Sequence, residues 1–261
     1  MRILLPPSEA KHPGGRGRSL RSAGAGRDEV SAALFSHREQ VLAALAALVD
    51  RPDAAAALLL PPSVAEAALA TNRRAADAPT RPALQRYAGV VYDGLAVAGL
   101  SEAALRRART GLLIFSGLLG VSRGGDPVPD YRVPAKAVLP GLGIAGTYWR
   151  PRLATVLPAL LDRGPIVDLR SSDYAAMWKP RPGSAEADRL IGVRVLSATP
   201  AGRLAVVSYP SKLAKGRLAA ALLERQAAGE PVTGADDVLT AWAKLGGRDG
   251  RPAAGGVELI E

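Results

Sequence analysis

The sequence predicts a single mixed-sheet α/β domain with helical insertions, covering residues 1–261. Three observations carry this reading. Short, wholly apolar runs end in small polar residues, longer segments space leucine at helical intervals, and no linker divides the 261 residues. The first run, Ile3 to Leu5, is stopped by Pro6 and Pro7. Residues 12–27 hold Gly, Arg and Ser without periodicity. They predict a mobile loop made basic by Arg16, Arg18, Arg21 and Arg27. A helix over about 31–49 follows, with Leu34, Val41, Leu45 and Leu48 on one stripe. Ser63, with Glu66 three residues on, reads as the N-cap of the next helix. Residues 72–82 connect to a helical turn at 83–87. Ser101 caps a further helix to about Arg109, with Glu102 in its first turn.

Then the pattern changes. "GLLIFSG" (Gly111–Gly117) and "GPIVDLRSS" (Gly164–Ser172) read as buried central strands. "LIGVRVLS" and "RLAVVSY" form a hairpin across Thr199, Pro200, Ala201 and Gly202. Helices over about 211–228 and 236–245 come next, the latter ended by Gly246, and 256–260 is a last strand. "GLGIAG" (Gly141–Gly146) has the letters of a dinucleotide loop. It follows Pro140 and opens no clear helix, so it is set aside.

Composition narrows the function classes. There is no cysteine, so neither thiol catalysis nor a Cys-ligated metal is available, and His12 and His37 alone cannot build a His-based zinc site. No cofactor is predicted. No apolar run is long enough to cross a bilayer, and the N-terminal apolar run is too short for a signal peptide, so a cytoplasmic protein without membrane contact is expected. Lys plus Arg exceeds Asp plus Glu by 34 to 24, a net charge of +10. Such a balance suits a polyanionic partner or an anionic substrate.

Four places share one design, an apolar strand that ends in polar residues: Ser8-Glu9-x-Lys11, Ser116-Gly117, Asp168 with Ser171, Ser172 and Tyr174, and Ser208-Tyr209 ahead of Lys212. Capping alone would explain any one of them. Together they predict a pocket, because strand ends border the ligand crevice in α/β sheets. Lys11 and Lys212 are the sharpest residues, since a desolvated lysine serves as base, Schiff-base former or phosphate clamp. Asp130 to Pro134 places Tyr131 and Arg132 in a proline-bounded loop, and arginine suits planar anions.

These stretches also resemble a known family. "LLPPSEAK", "YAGVVYDGL", "FSGLLGVSR" followed by "DYR", "IVDLRSSDYAAMWKP" and "VVSYPSKLAKG" occur in that order. Together they are similar to the YaaA family of peroxide stress proteins, in particular its actinobacterial branch. The resemblance implies a "cannonball" α/β domain with a helix-hairpin-helix-like element, a cytoplasmic location, and DNA binding linked to oxidative-stress protection. It marks Ser8, Lys11, Tyr92, Gly94, Ser116, Gly117, Gly120, Tyr131, Arg132, Asp168, Ser171, Ser172, Tyr174 and Lys212 as the recurring positions. Lys215 stands where the family usually carries arginine, which removes a bidentate phosphate grip.

Two functional expectations follow. The first is a protein that binds nucleic acid, duplex DNA foremost, through phosphates, using Arg16, Arg18, Lys212, Lys215 and Arg217. The second is an enzyme acting on an anionic small molecule or nucleotide. There Lys11, Lys212, Tyr131 and Asp168 would be catalytic, and Ser8, Ser116, Gly117, Arg132, Ser171, Ser172 and Tyr174 would bind the ligand.

Overall fold

The computed structural model describes residues 1–23, 29–199, 202–246 and 249–261. Its centre is an eight-stranded mixed sheet built from β1 (Arg2–Leu5), β2 (Leu112–Ser116), β3 (Gly120–Arg123), β4 (Ile166–Asp168), β5 (Leu190–Ala198), β6 (Leu204–Ala205), β7 (Asp249–Ala253) and β8 (Gly256–Ile260). The spatial order is β7-β8-β5-β4-β1-β2-β3, with β6 paired to β5. From β8 to β2 every neighbouring pair is parallel, whereas β3 and β7 close the two edges antiparallel.

Parallel central strands are covered on both faces, and this explains their wholly apolar composition. Ile3, Leu4, Leu5, Leu112, Leu113, Ile114, Phe115, Ile166 and Val167 are all buried. Because β1, β2 and β4 run in one direction, Leu5, Ser116 and Asp168 end at the same edge of the sheet. The chain leaves β1 for β2 on one side and later returns to β4 on the other. That reversal of strand order is where α/β sheets open a ligand crevice.

Helices pack around this sheet: α1 (Glu29–Leu48), α2 (Pro62–Arg73), α3 (Val90–Leu95), α4 (Glu102–Gly111), α5 (Ala145–Leu160), α6 (Ser208–Ala227) and α7 (Ala235–Lys244). The stripe of Leu34, Val41, Leu45 and Leu48 on α1 is buried. Helices α3 and α4 are joined by a short hairpin containing a 3₁₀ turn at Val97–Gly99. At the start of α4 the Ser101 Oγ accepts the Ala104 N–H at 3.2 Å. The backbone N–H and hydroxyl of Ser101 in turn donate to the two carboxylate oxygens of Glu224, each at 2.7 Å.

Several expectations change. Ser63 is not a cap, because α2 begins at Pro62, where a missing N–H costs nothing. The stretch after Gly141 does open a helix, α5, which Pro151 and Pro158 disguised in the sequence. Ser208-Tyr209 is a helix start and not a strand end, because β6 stops at Ala205. The loop after Lys11 is tethered through residue 18. Gly17 and Thr80 exchange backbone hydrogen bonds, and the Thr80 hydroxyl donates to Arg18 O. Fully buried Arg86 donates to the carbonyls of His12, Gly14, Pro79 and Val128. Arg27, Pro200 and Ala201 lie outside the described residues.

Candidate functional site

Strand β4 stops at Asp168, opposite Gly192, while β5 continues from Val193 to Ala198. The missing neighbour leaves a crevice of about 910 Å³ at the carboxyl edge of the sheet. Ser8 enters from the end of β1, and Asp168, Ser171, Ser172 and Tyr174 enter from the end of β4. The third wall is the start of α6. Ser208, Ser211, Lys212 and Lys215 recur at helical spacing and so share one face, all lining the crevice. This 20-residue helix has neither an acidic residue in its first turn nor a side-chain cap. Its first N–H groups therefore add positive potential beside Lys212, which is exposed. Lys215 is more enclosed, and its Nζ donates to Arg170 O at 3.1 Å. Burial lowers the Lys215 ammonium below the usual lysine range, and Asp168 partly opposes this.

Asp168 is already committed. Its Oδ1 accepts the Arg170 Nε at 2.9 Å and its Oδ2 accepts Nη2 at 2.7 Å, while the Arg170 backbone N–H returns to Oδ1 at 3.0 Å. The guanidinium also donates to Tyr174 O and Trp178 O and lies 4.3 Å from the Phe115 ring centroid. The rim of this buried cation is thus satisfied by the Asp168–Trp178 turn, while Phe115 of β2 lies against its face. Asp168, through both of its oxygens, holds the Arg170 turn that shapes this part of the crevice. Asp168→Ala should cost about 3 kcal/mol in urea unfolding, because it strands a buried arginine. A loss below about 1 kcal/mol would refute that role.

A second cluster lies across the 6–10 segment. Residues 10–12 pair with 86–88, which sets Lys11 beside Tyr87. The Lys11 Nζ donates to Ser8 O at 2.8 Å and sits 4.2 Å from the centroid of the Tyr131 ring and 5.5 Å from that of Tyr87. The Tyr87 and Tyr131 hydroxyls are 2.7 Å apart. Buried Ser116 stands beside them and accepts the Leu119 N–H. Burial lowers the Lys11 ammonium to about 8, against the opposing pull of Glu9 and Asp130 and assisted by Arg132 and Arg86. Burial also pushes the Tyr87 hydroxyl up to about 12, and Tyr131 and Tyr174 are raised as well. Glu9 does not pair with Lys11. Its carboxylate meets Arg132 Nε at 3.2 Å. Asn72 fixes the Arg132 backbone from both sides, accepting its N–H at 2.7 Å and donating to its carbonyl at 3.0 Å.

The predicted residues therefore divide between two neighbouring places. Ser8, Asp168, Ser171, Ser172, Tyr174, Lys212 and Lys215 line the crevice. Lys11, Ser116 and Tyr131 form the buried cluster. Arg132 and Glu9 border a smaller cavity of about 260 Å³, and Glu9 and Tyr174 line both cavities. Gly117 stands behind the cluster, its carbonyl accepting Trp149 Nε1–H at 2.9 Å. Arg16, Arg18 and Arg217 are exposed. Sequence reasoning did not single out Arg170, Tyr87 or Arg86. The D-x-R spacing of Asp168 and Arg170 was the available signal for the first. No sequence spacing marks a buried arginine that binds only carbonyls. Among the described residues no group of three or more His, Cys, Asp or Glu is placed to hold a metal ion. Likewise, no helix is long and apolar enough to cross a membrane.

The family model described as peroxide stress protein YaaA matches residues 1–233, which include the polar crevice and cluster residues named above but not the part of the crevice lining at Ala253–Val257. A UPF0246 protein of Streptomyces coelicolor is 40% identical over 247 residues, covering 94% of this chain and 90% of its own. One from Corynebacterium efficiens is 38% identical over 224 residues, covering 85% and 84%. Another, from Corynebacterium glutamicum, is 36% identical over 231 residues, covering 87% of each chain.

Proposed function

Because the chain belongs to the YaaA family of peroxide stress proteins, we propose that it serves peroxide-stress protection by binding nucleic acid through phosphates, with the strand-end crevice as the principal contact. The observation that carries this reading is the wall formed by α6. Ser208, Ser211, Lys212 and Lys215 all line one cavity, at the start of a helix with no side-chain cap. Helix starts of this kind favour phosphate oxygens. A net charge of +10 and exposed Arg16, Arg18 and Arg217 extend the attraction beyond the crevice. Lys215 offers a point charge in place of a planar fork, so it grips a phosphate without fixing its orientation.

DNA affinity should fall linearly on a log–log plot against salt, and Lys212→Ala should reduce the slope by about one phosphate's worth. Fluorescence anisotropy across a salt series measures both. Absence of binding at physiological salt, or a flat salt response, would sink this reading.

One observation favours a second reading, an enzyme acting on a nucleotide or other anionic small molecule. Lys11 carries a pKa lowered by burial, which outweighs the pull of Glu9 and Asp130, and stands beside two paired phenols. Lysines of this kind act as bases or nucleophiles. Tyr131 and Ser116 would orient the reacting group.

A further inference from the structure

Next to the crevice, and reaching it at Val206, the chain exposes an apolar stretch, or ledge, that phosphate binding does not use. Leu204, Val206, Val207 and Tyr209 are 43%, 57%, 37% and 64% exposed. All four lie within six residues that lead from β6 into the first turn of α6. Val206 itself lines the crevice, and Ser208 follows it there. Tyr209 sits three residues before Lys212 on α6, so the two side chains neighbour each other on the helix surface. An exposed aromatic residue thus neighbours the crevice cation Lys212 in the first turns of α6.

We propose that this ledge is a stacking platform for an unpaired nucleobase, with Tyr209 beneath the base and Val206 at its edge. The inference rests on the phosphate reading above and deepens it. The preferred ligand is then a nucleotide with a free base, as at a single-stranded end, and not a paired duplex. Charge decides the occupant. An apolar ledge contiguous with a cationic, hydroxyl-lined cavity fits a molecule that is aromatic at one end and anionic at the other. Stacking on aromatic side chains tolerates every base, so no sequence preference is expected. A base inside a duplex would first have to be unstacked and unpaired before reaching the ring.

The test compares three probes by fluorescence anisotropy and calorimetry: an end-phosphorylated oligodeoxyadenylate, the same strand annealed to its complement, and inorganic triphosphate. Wild-type protein should bind the single strand more tightly than the duplex. Tyr209→Ala should weaken the single strand about tenfold. Tyr209→Trp should hold or raise that affinity, and triphosphate binding should be unchanged in both variants. Lys212→Ala should weaken all three probes. If Tyr209→Ala leaves the single strand unaffected while Lys212→Ala weakens it, the ledge proposal fails and the phosphate reading stands. If Lys212→Ala leaves every probe unaffected, the phosphate reading fails and takes this one with it. A self-association that Tyr209→Ala abolishes in sedimentation would assign the ledge to a second copy of the chain and overturn the proposal. Tyr209 is exposed, so the variants keep the fold, and a matching unfolding midpoint confirms this.

Discussion

Gly216→Ala is expected to lower stability by about 3 kcal/mol, at the severe end of overpacking. Helices α3 and α6 cross backbone to backbone. A methyl group at 216 would collide with Val91 O and would lie 2.7 Å from Leu95 N and 2.9 Å from the Gly94 carbonyl carbon. All of these are main-chain atoms, so no rotamer change relieves the clash. Gly94 faces the same crossing, where a methyl would meet Leu213 O and the Arg217 N–H. Either substitution forces the helices apart. The double variant should therefore cost less than the sum of the two singles, because one separation accommodates both methyls. Urea midpoints of the three proteins measure this, and additive losses would show that the two contacts are independent. A functional loss accompanies the structural one. The same helix presents Ser208, Ser211, Lys212 and Lys215, so a displaced α6 also misplaces the crevice wall.

Stability should rise with pH between about 8 and 10, by about 2 kcal/mol, because of Lys11. The folded protein holds this ammonium at about 8, whereas the unfolded chain keeps it near 10.5. Between those values the unfolded state binds more protons, so raising the pH favours the folded state. The full shift would yield more. Part of it is lost because the rise ends at about pH 10, before the unfolded value is reached, and because solvent still touches the side chain. Above pH 10 the sign reverses through Tyr87, whose hydroxyl is pushed up to about 12 by burial. The unfolded state then loses its proton first, and stability falls. Lys215, also lowered by burial, adds to the rise below pH 10. Subtracting the curve of Lys11→Met from that of the wild type isolates the Lys11 contribution. Parallel curves from pH 8 to 10 would show that the amine is not desolvated. The lowered value also leaves a substantial neutral fraction near pH 8, the form that chemistry at Lys11 requires.

The central strands were legible because burial on both faces writes itself as uninterrupted apolar text, as in Leu112 to Phe115. The Ser101 cap was legible because its chemistry is local. What escaped was set by distant partners. Helix α5 breaks the proline rule, yet Trp149, Leu153 and Leu157 bury against the core and outweigh the lost hydrogen bonds. The tether on residues 12–18 depends on Arg86, more than sixty residues away in sequence. The site was half legible. Polar residues at strand ends did gather at the carboxyl edge, as the direction of parallel strands dictates. Their division into a crevice and a separate lysine–tyrosine cluster was not readable, because it depends on which way the 6–10 segment turns. Asp168 illustrates the limit. It lines the crevice, while the arginine two residues on holds both of its oxygens, a pairing that the strand-end pattern does not reveal.

The early end of β4 has one more effect. Past Gly192, β5 keeps β8 on one flank through Leu196, and β6 takes up only Ser197 and Ala198. Among the described residues no strand pairs with Val193 to Leu196 on the side that β4 vacates. Main-chain donors and acceptors on that side are left over from the ladder, and Val193 to Val195 line the cavity there. A ligand can be recognised there by groups every amino acid carries. Alanine scanning would therefore miss any ligand contact made by these groups, since no substitution short of proline removes an amide. Amide hydrogen exchange at 193–196, read with and without a bound oligonucleotide, is the measurement suited to them.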